Sequence, residues 1–177
     1  MILMTPRLEL WPAPKHPGAA EAAKQFAEWL SDPEIVRYSE QRHKSHTAET
    51  QLDYWHSTAT VEPNSVHMIQ LLGEPSVRIG SVAARVDTQN NTANVGIMIG
   101  DKSAWGNGYG FEAWECFCNY LIIEKKIRKI EAGCMSLNAP MIKICIMYGM
   151  RHEAIVQDHF LLDGKPVSKH LYGKIAR

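Results

Sequence analysis

What this sequence does without narrows its reading before any motif is considered. It has no surplus of charge, since lysine plus arginine and aspartate plus glutamate both number 19. A balanced field offers no general attraction to nucleic acid or to an anionic membrane, so neither is an expected partner and an anionic ligand must be held by local groups. No apolar run approaches the ~18 residues of a spanning helix, and Ile2-Leu3-Met4 is cut short by Thr5-Pro6-Arg7 instead of opening into a signal-peptide core. Cysteine is scarce: Cys116, Cys118, Cys134 and Cys145 include no Cys-x-x-Cys pair, and three stand in apolar segments. Reduced core thiols in a cytoplasmic protein are therefore expected, not a disulfide framework. His43-x-x-His46 and Cys116-x-Cys118 fall short of a four-ligand set, so no metal is expected. Repeats, low-complexity tracts and linkers are also missing, and 177 residues suffice for one core, which makes residues 1–177 a single domain.

What is present alternates between helix and strand periods. Residues 7–11 alternate as a short strand closed by Pro12 and Pro14, and residues 19–30 carry Ala22, Phe26, Trp29 and Leu30 at helical spacing. A helical turn runs through Val36, and residues 38–46 (YSEQRHKSH) read as a polar, aromatic, basic loop. Thr47 caps a helix that buries Leu52, Trp55 and Ala59. After Pro63-Asn64 the period becomes that of strands: 66–72, a Gly73-Glu74-Pro75-Ser76 turn, 78–86, a turn over 87–91, and 93–100, an antiparallel meander. A helix over 108–123 with Trp114, Phe117 and Leu121 as core, a strand over 129–134, and a helix over 138–148 ended by Gly149 suggest a crossover. Residues 154–160, an Asp163-Gly164 turn and 167–175 make a closing hairpin.

The segment over 97–113, IMIGDKSAWGNGYGFEA, leads from a buried strand through a glycine-rich loop into a helix. Gly106, Gly108 and Gly110 permit tight turns, and the unpaired N–H groups of the helix start suit a phosphate. A dinucleotide fingerprint would need glycine at Phe111, and the Gly-Lys-Ser/Thr of nucleotide hydrolases is missing, as is the Gly-x-Ser-x-Gly of serine hydrolases. On spacing alone, glycines serving only the shape of the turn remain an equal alternative.

Ile99-Gly100-Asp101-Lys102 followed by Trp105-Gly-Asn-Gly-Tyr-Gly110 resembles the acetyl-CoA motif of the GNAT N-acetyltransferases, (Gln/Arg)-x-x-Gly-x-(Gly/Ala), with Trp105 in place of Gln/Arg. Asn138, Ile142, Lys143 and Gly149-Met150 resemble that family's Asn-x-x-(Ala/Ser)-Ile-(Arg/Lys)-x5-Gly-Phe segment. The likeness covers nearly the whole chain and is similar to the branch acting on ribosomal-protein N-termini and nucleotide-linked amino sugars. It implies a mixed α/β (α+β) GNAT fold, a mostly antiparallel twisted sheet of about seven strands with about four helices. It also implies an acetyl-CoA-dependent N-acetyltransferase. By the resemblance, Ile97, Met98 and Ile99 pair with the pantetheine arm. The N–H groups of Trp105, Gly106, Asn107, Gly108, Tyr109 and Gly110 bind the pyrophosphate, Asn138 bonds the arm, and Lys143 approaches the phosphates.

The tyrosine that many relatives use as general acid falls in register at Cys145, which makes that thiol the candidate acid; plain core is the alternative for an apolar-face cysteine. Glu40, His43, Glu153, Asp158 and His159 are polar candidates bordering the acceptor cleft, with Glu40 and His159 as the candidate bases. Tyr38, Arg42 and His43 are the candidate acceptor contacts, on a basic loop suited to phosphate or carboxylate. An α-amine of pKa ~8 is partly neutral at pH 7 and lysine at ~10.4 is not, which disfavours lysine side chains as acceptors. The expected partner is a small-molecule amine, such as a nucleotide-linked amino sugar, or a peptide N-terminus, and the final hairpin leaves a homodimer open. The competing function is a non-catalytic acyl-CoA-binding sensor.

Overall fold

The computed structural model describes residues 1–60, 65–73 and 76–176. Its elements, in order, are β1 (Leu3–Met4), β2 (Leu8–Pro12), α1 (Ala19–Ser31), α2 (Ala48–Thr60), β3 (Ser65–Leu71), β4 (Val77–Asp87), β5 (Thr92–Ile99), α3 (Tyr109–Ile123), β6 (Lys129–Met135), α4 (Ala139–Met147), β7 (Arg151–Leu162) and β8 (Lys165–Ile175). They form one eight-stranded sheet in the order β1-β2-β3-β4-β5-β6-β8-β7, antiparallel except for β5 beside β6. The mixed α/β architecture and four helices follow the expectation. The eighth strand is the two-residue β1, whose Leu3 is buried as it pairs with Leu10; two residues carry no alternation to announce them. The 61–64 junction, Glu74-Pro75 of the expected turn and the side chain of Ala59 lie outside the described residues.

Strand alternation feeds two cores. In β3 Val66 and Met68 pack with Phe26 and Trp55 under α1 and α2, while Ile69 joins Trp114, Phe117 and Leu121 of α3 on the opposite face. Burial on both faces explains why β3 reads as a near-continuous apolar run. All four cysteines are free thiols, three of them buried. No helix among the described residues is long and apolar enough to cross a membrane.

Two local features position the site. Parallel pairing of β5 with β6 stops after Thr92↔Lys129, Ala93↔Ile130 and Asn94↔Glu131, so the strands part and Val95 to Ile99 have no strand on that side. The closing hairpin turns at Asp163 and Gly164, both at positive φ, as the Asp-Gly pair predicts. Its outer strand begins at Arg151, three residues earlier than the apolar pattern suggests, because polar Arg151 and His152 pair along β8, with Glu153 at a register shift, and have no core face to mark them. Between Val156↔Lys169 and Phe160↔Val167, three residues of β7 oppose only Ser168, and Asp158 adopts φ 49°. This bulge re-aims the side chains around His159.

Candidate active site

The gap between β5 and β6 opens into a cleft of ≈ 1680 Å³ that passes through the sheet. One mouth holds Gly106, Gly108 and Tyr109, with Asn138 and Lys143 of α4; the other holds Tyr38, Glu40, His159, Phe160 and Lys169. Ile97, Met98 and Ile99 line the passage. A long, thin ligand with a charged tail fits such a channel.

At the first mouth the groups are mostly backbone. Gly106 (φ +78°) and Gly108 (φ +80°) occupy the left-handed region that other residues rarely adopt, and α3 starts at Gly108 with no side-chain cap. The N–H groups of Gly106, Asn107 and Gly108 find no acceptor among the described residues. Gly110 differs, with no positive φ, and an added Cβ would meet Ile144 at 3.5 Å and Ile99 at 3.6 Å, ordinary contacts. Trp105 also departs from expectation: its N–H is spent on the Lys102 carbonyl, and its indole donates to the Ile99 carbonyl at 2.8 Å. Asn107 turns its amide back onto Ser103 and Trp105, off the cleft wall.

A carboxylate in the first turn of α3 would repel a phosphate, and Glu112 stands there. Arg7 neutralises it, with Nε 2.7 Å from Oε2, while the Thr5 hydroxyl donates to Oε1 at 2.6 Å. Burial pushes the Glu112 carboxyl up, but these donors outweigh it and hold the group below the usual range. Arg7 also donates to the Asn107 carbonyl and covers the Tyr109 ring. The sequence reading missed Arg7, because nothing local ties it to a helix a hundred residues on. Lys102, in the loop itself, is taken by Asp32 at 2.9 Å and Glu34 at 2.5 Å.

On α4, Asn138 caps the helix with Oδ1 accepting from the Met141 N–H at 3.2 Å, which leaves Nδ2 facing the cleft without a protein partner. Cys145 lies on the other side of the helix: it is fully buried, absent from the cleft wall, and burial pushes its thiol up to about 12. Tyr148 is buried as well, its hydroxyl donating to Asn119. Met141, Ile144 and Met147 are what α4 shows the cleft alongside Pro140 and Lys143.

At the second mouth the groups are side chains. Glu40 lines the cleft and pairs with Arg42 at 2.7 Å; Tyr38 packs on the Met135, Leu162 and Val167 cluster. Arg42 is not on the wall, since its guanidinium donates to the carbonyls of Ser39 (2.8 Å) and Leu161 (3.1 Å) and fastens the loop to β7. His43 is exposed and also off the wall. His159 reaches the cleft from the β7 bulge, edge-on to Phe160. Glu153 pairs instead with Lys129 at 2.8 Å, away from the cleft. Cys134 and Lys169 are among the wall residues that escaped the sequence reading; Cys134 is buried, its thiol pushed up to about 11 by that burial. Both depend on how β6 pairs with β8, which no short-range pattern encodes.

The strands β5 and β6 thus part beside a helix start whose backbone N–H groups are unpaired among the described residues. The chain belongs to the GNAT acetyltransferase family: residues 15–151 match the model of the acetyltransferase (GNAT) domain. A curated relative, the uncharacterized N-acetyltransferase p20 of Bacillus licheniformis, is 21% identical over 159 residues, covering 89% of each chain. Among solved structures, RimL, a ribosomal L7/L12 α-N-protein acetyltransferase in complex with coenzyme A, superposes with a TM-score of 0.82 at 12% identity, covering 99% of this chain and 98% of its own. The microcin C7 self-immunity acetyltransferase MccE, in complex with acetyl-CoA and AMP, gives 0.78 at 16% identity over 97% and 94%. The expectations of a GNAT fold and an acyltransferase enzyme hold.

Proposed function

We propose that this protein transfers the acetyl group of acetyl-CoA to the primary amine of a small molecule or of a peptide N-terminus, by direct attack of the neutral amine on the thioester. The observation that carries this reading is the three-pair limit of the β5–β6 ladder, which joins a phosphate cradle on one face to a polar mouth on the other. Acetyl-CoA supplies an activated acyl carbonyl and a thiolate leaving group. The free N–H groups of Gly106, Asn107 and Gly108 and the positive end of α3 hold its diphosphate, with Arg7 cancelling the charge of Glu112. Lys143 faces the same end, and Nδ2 of Asn138 is free to donate to the arm. The open edge of β5 at Ile97, Met98 and Ile99 aligns the arm and offers backbone N–H to the carbonyl where negative charge develops. The His159 imidazole, on the cleft wall with no ion pair among the described residues, takes the amine proton, whereas the Glu40 carboxylate is already held by Arg42. Cys145 has no part in these steps, because its thiol does not reach the cleft; the departing thiolate takes its proton from the solvent an open cleft admits.

RimL and MccE act on or bind different molecules, which supports an amine acceptor without choosing between a peptide N-terminus and a nucleotide-linked compound. Four free thiols are in keeping with the cytoplasm. The deciding experiment measures thiol release from acetyl-CoA across amino sugars, their phosphates and short peptides, beside the rise in melting temperature with acetyl-CoA. Release above background with one acceptor class is expected. Heat protection with background release throughout supports a binding module without turnover, and no protection contradicts the cradle. Cys145→Ala is expected to keep the wild-type pH profile while losing about 1–2 kcal/mol of stability from a packed core.

A further inference from the structure

We propose that Lys169 selects the acceptor, so that this protein acts on an amine whose own molecule carries a phosphate or carboxylate near the acylated nitrogen. The inference rests on the acetyltransferase reading and specifies its substrate.

Beyond Glu131, β6 is one wall of the wedge. Gly133 stands two residues past the point of divergence, where a side chain would fill the passage. The side chain of Lys169 occupies that space: a Cβ on Gly133 would lie 2.8 Å from Lys169 Cε, 3.7 Å from its Nζ and 3.3 Å from Leu171 Cδ2. Lys169 is opposite Met135 in the ladder, so its stem leans back along β6 toward the apex of the wedge. The missing Cβ at Gly133 is what lets a butylammonium lie there.

The face matters as much as the distance. Ala132 and Cys134 point toward α3 and α4, the side of the phosphate cradle, and join that core. Gly133 and Met135 point the other way, and Met135 packs with Leu162, Val167, Tyr38 and Phe160. Lys169 therefore sits at the acceptor mouth, with the sheet between it and the cofactor phosphates. Its charge is not accounted for by acetyl-CoA.

Nor is it accounted for by the protein. Three other lysines that bend over this framework are all engaged: Lys102 by Asp32 and Glu34, Lys129 by Glu131 and Glu153, and Lys174 by the Tyr148 carbonyl at 2.6 Å. The ammonium of Lys169 makes no hydrogen bond or ion pair among the described residues, although the residue is half-buried. The carboxylates on the described cleft wall, Glu34 and Glu40, are already neutralised by Lys102 and Arg42. Ordering a lysine stem costs side-chain entropy, so an ammonium held here without a protein partner is complementary to an anion brought by the ligand. Lys44, exposed on the facing wall, adds to the same positive mouth.

The test compares matched acceptors that differ only in the anion: glucosamine against glucosamine 6-phosphate, and a peptide amide with asparagine against one with aspartate at its second position. Binding to the protein saturated with coenzyme A is measured by calorimetry, and turnover by thiol release. The wild type is expected to favour the anionic member of one pair by about tenfold, less in high salt, and the pair that discriminates tells sugar phosphate from acidic peptide. Lys169→Met should bring that ratio near one, Lys169→Arg should restore most of it, and Gly133→Ala, which displaces the lysine while keeping its charge, should fall between. Unchanged heat protection by acetyl-CoA in each variant shows that fold and cradle are intact. No preference for either anion in the wild type, no binding of any member, or a ratio untouched in Lys169→Met overturns the proposal. Preferential binding lost in Lys169→Met with no thiol release from any acceptor would leave the proposal standing and sink the catalytic reading instead.

Discussion

The two mouths of the cleft are built from different materials. The mouth beside Gly108 is backbone: two glycines at positive φ, unpaired N–H groups and a helix start, with side chains such as Arg7 and Asp101 acting on the loop and its neighbours. The mouth beside His159 is side chains: Tyr38, Glu40, His159 and Lys169, gathered from a loop, a bulged edge strand and its neighbour. Backbone donors suit a ligand whose phosphates are always the same, because their geometry follows from the chain path. Side chains suit a ligand that varies between relatives, because each is exchanged without refolding the sheet.

This contrast is open to attack at several points. The largest effect is expected from Gly108→Val, which forces a branched residue into φ +80° and ψ 0° at the N-cap of α3. Acetyl-CoA affinity should fall by about 100-fold or more in calorimetry, and an unchanged affinity would move the diphosphate elsewhere.

The packing of β3 against α3 has an acid limit. His67 of β3 is buried, stacks on Phe117 of α3 at 5.1 Å, and has Nδ1 without a partner. Burial pulls its pKa down to about 4, against ~6.5 unfolded. The unfolded chain then binds the extra proton, so this stability is full above the unfolded value and is lost as pH falls from ~6.5 toward 4. About 2 kcal/mol should go between pH 7 and pH 5 in denaturant titrations, and His67→Gln should flatten that limb. An equally steep limb in the variant would assign the acid sensitivity to other groups.

A smaller effect, confined to the other mouth, is expected from Arg42→Ala. Releasing the 38–46 loop from the Leu161 carbonyl and unpairing Glu40 should raise acceptor KM by about fivefold with acetyl-CoA affinity unchanged. Equal losses for both ligands would show that the mouths are not separable.

Legibility in the sequence followed the same division. The helix starting after Gly108, the Asp163-Gly164 turn and the end of α4 before Gly149 rest on local rules, and each appears within a residue or two of its expected place. Gly106 and Gly108 were readable for the same reason, whereas Gly110 looked identical in sequence and lacks the strained backbone. Cys145 was read in register with a proton donor, and helical phase turned it into the core. Arg42 and His43 were read as acceptor contacts on composition, but composition does not say which way a loop side chain turns.

Alone, the order of residues determined the elements, the two-sided core and the left-handed glycine turn before α3, because capping, alternation and left-handed turns are decided among neighbours along the chain. Tertiary structure alone decided where the ladder between β5 and β6 ends, that Arg7 would meet Glu112, and that Lys169 would lie over Gly133. Those contacts join residues tens of positions apart, and their free energy exists only once the sheet has set its register.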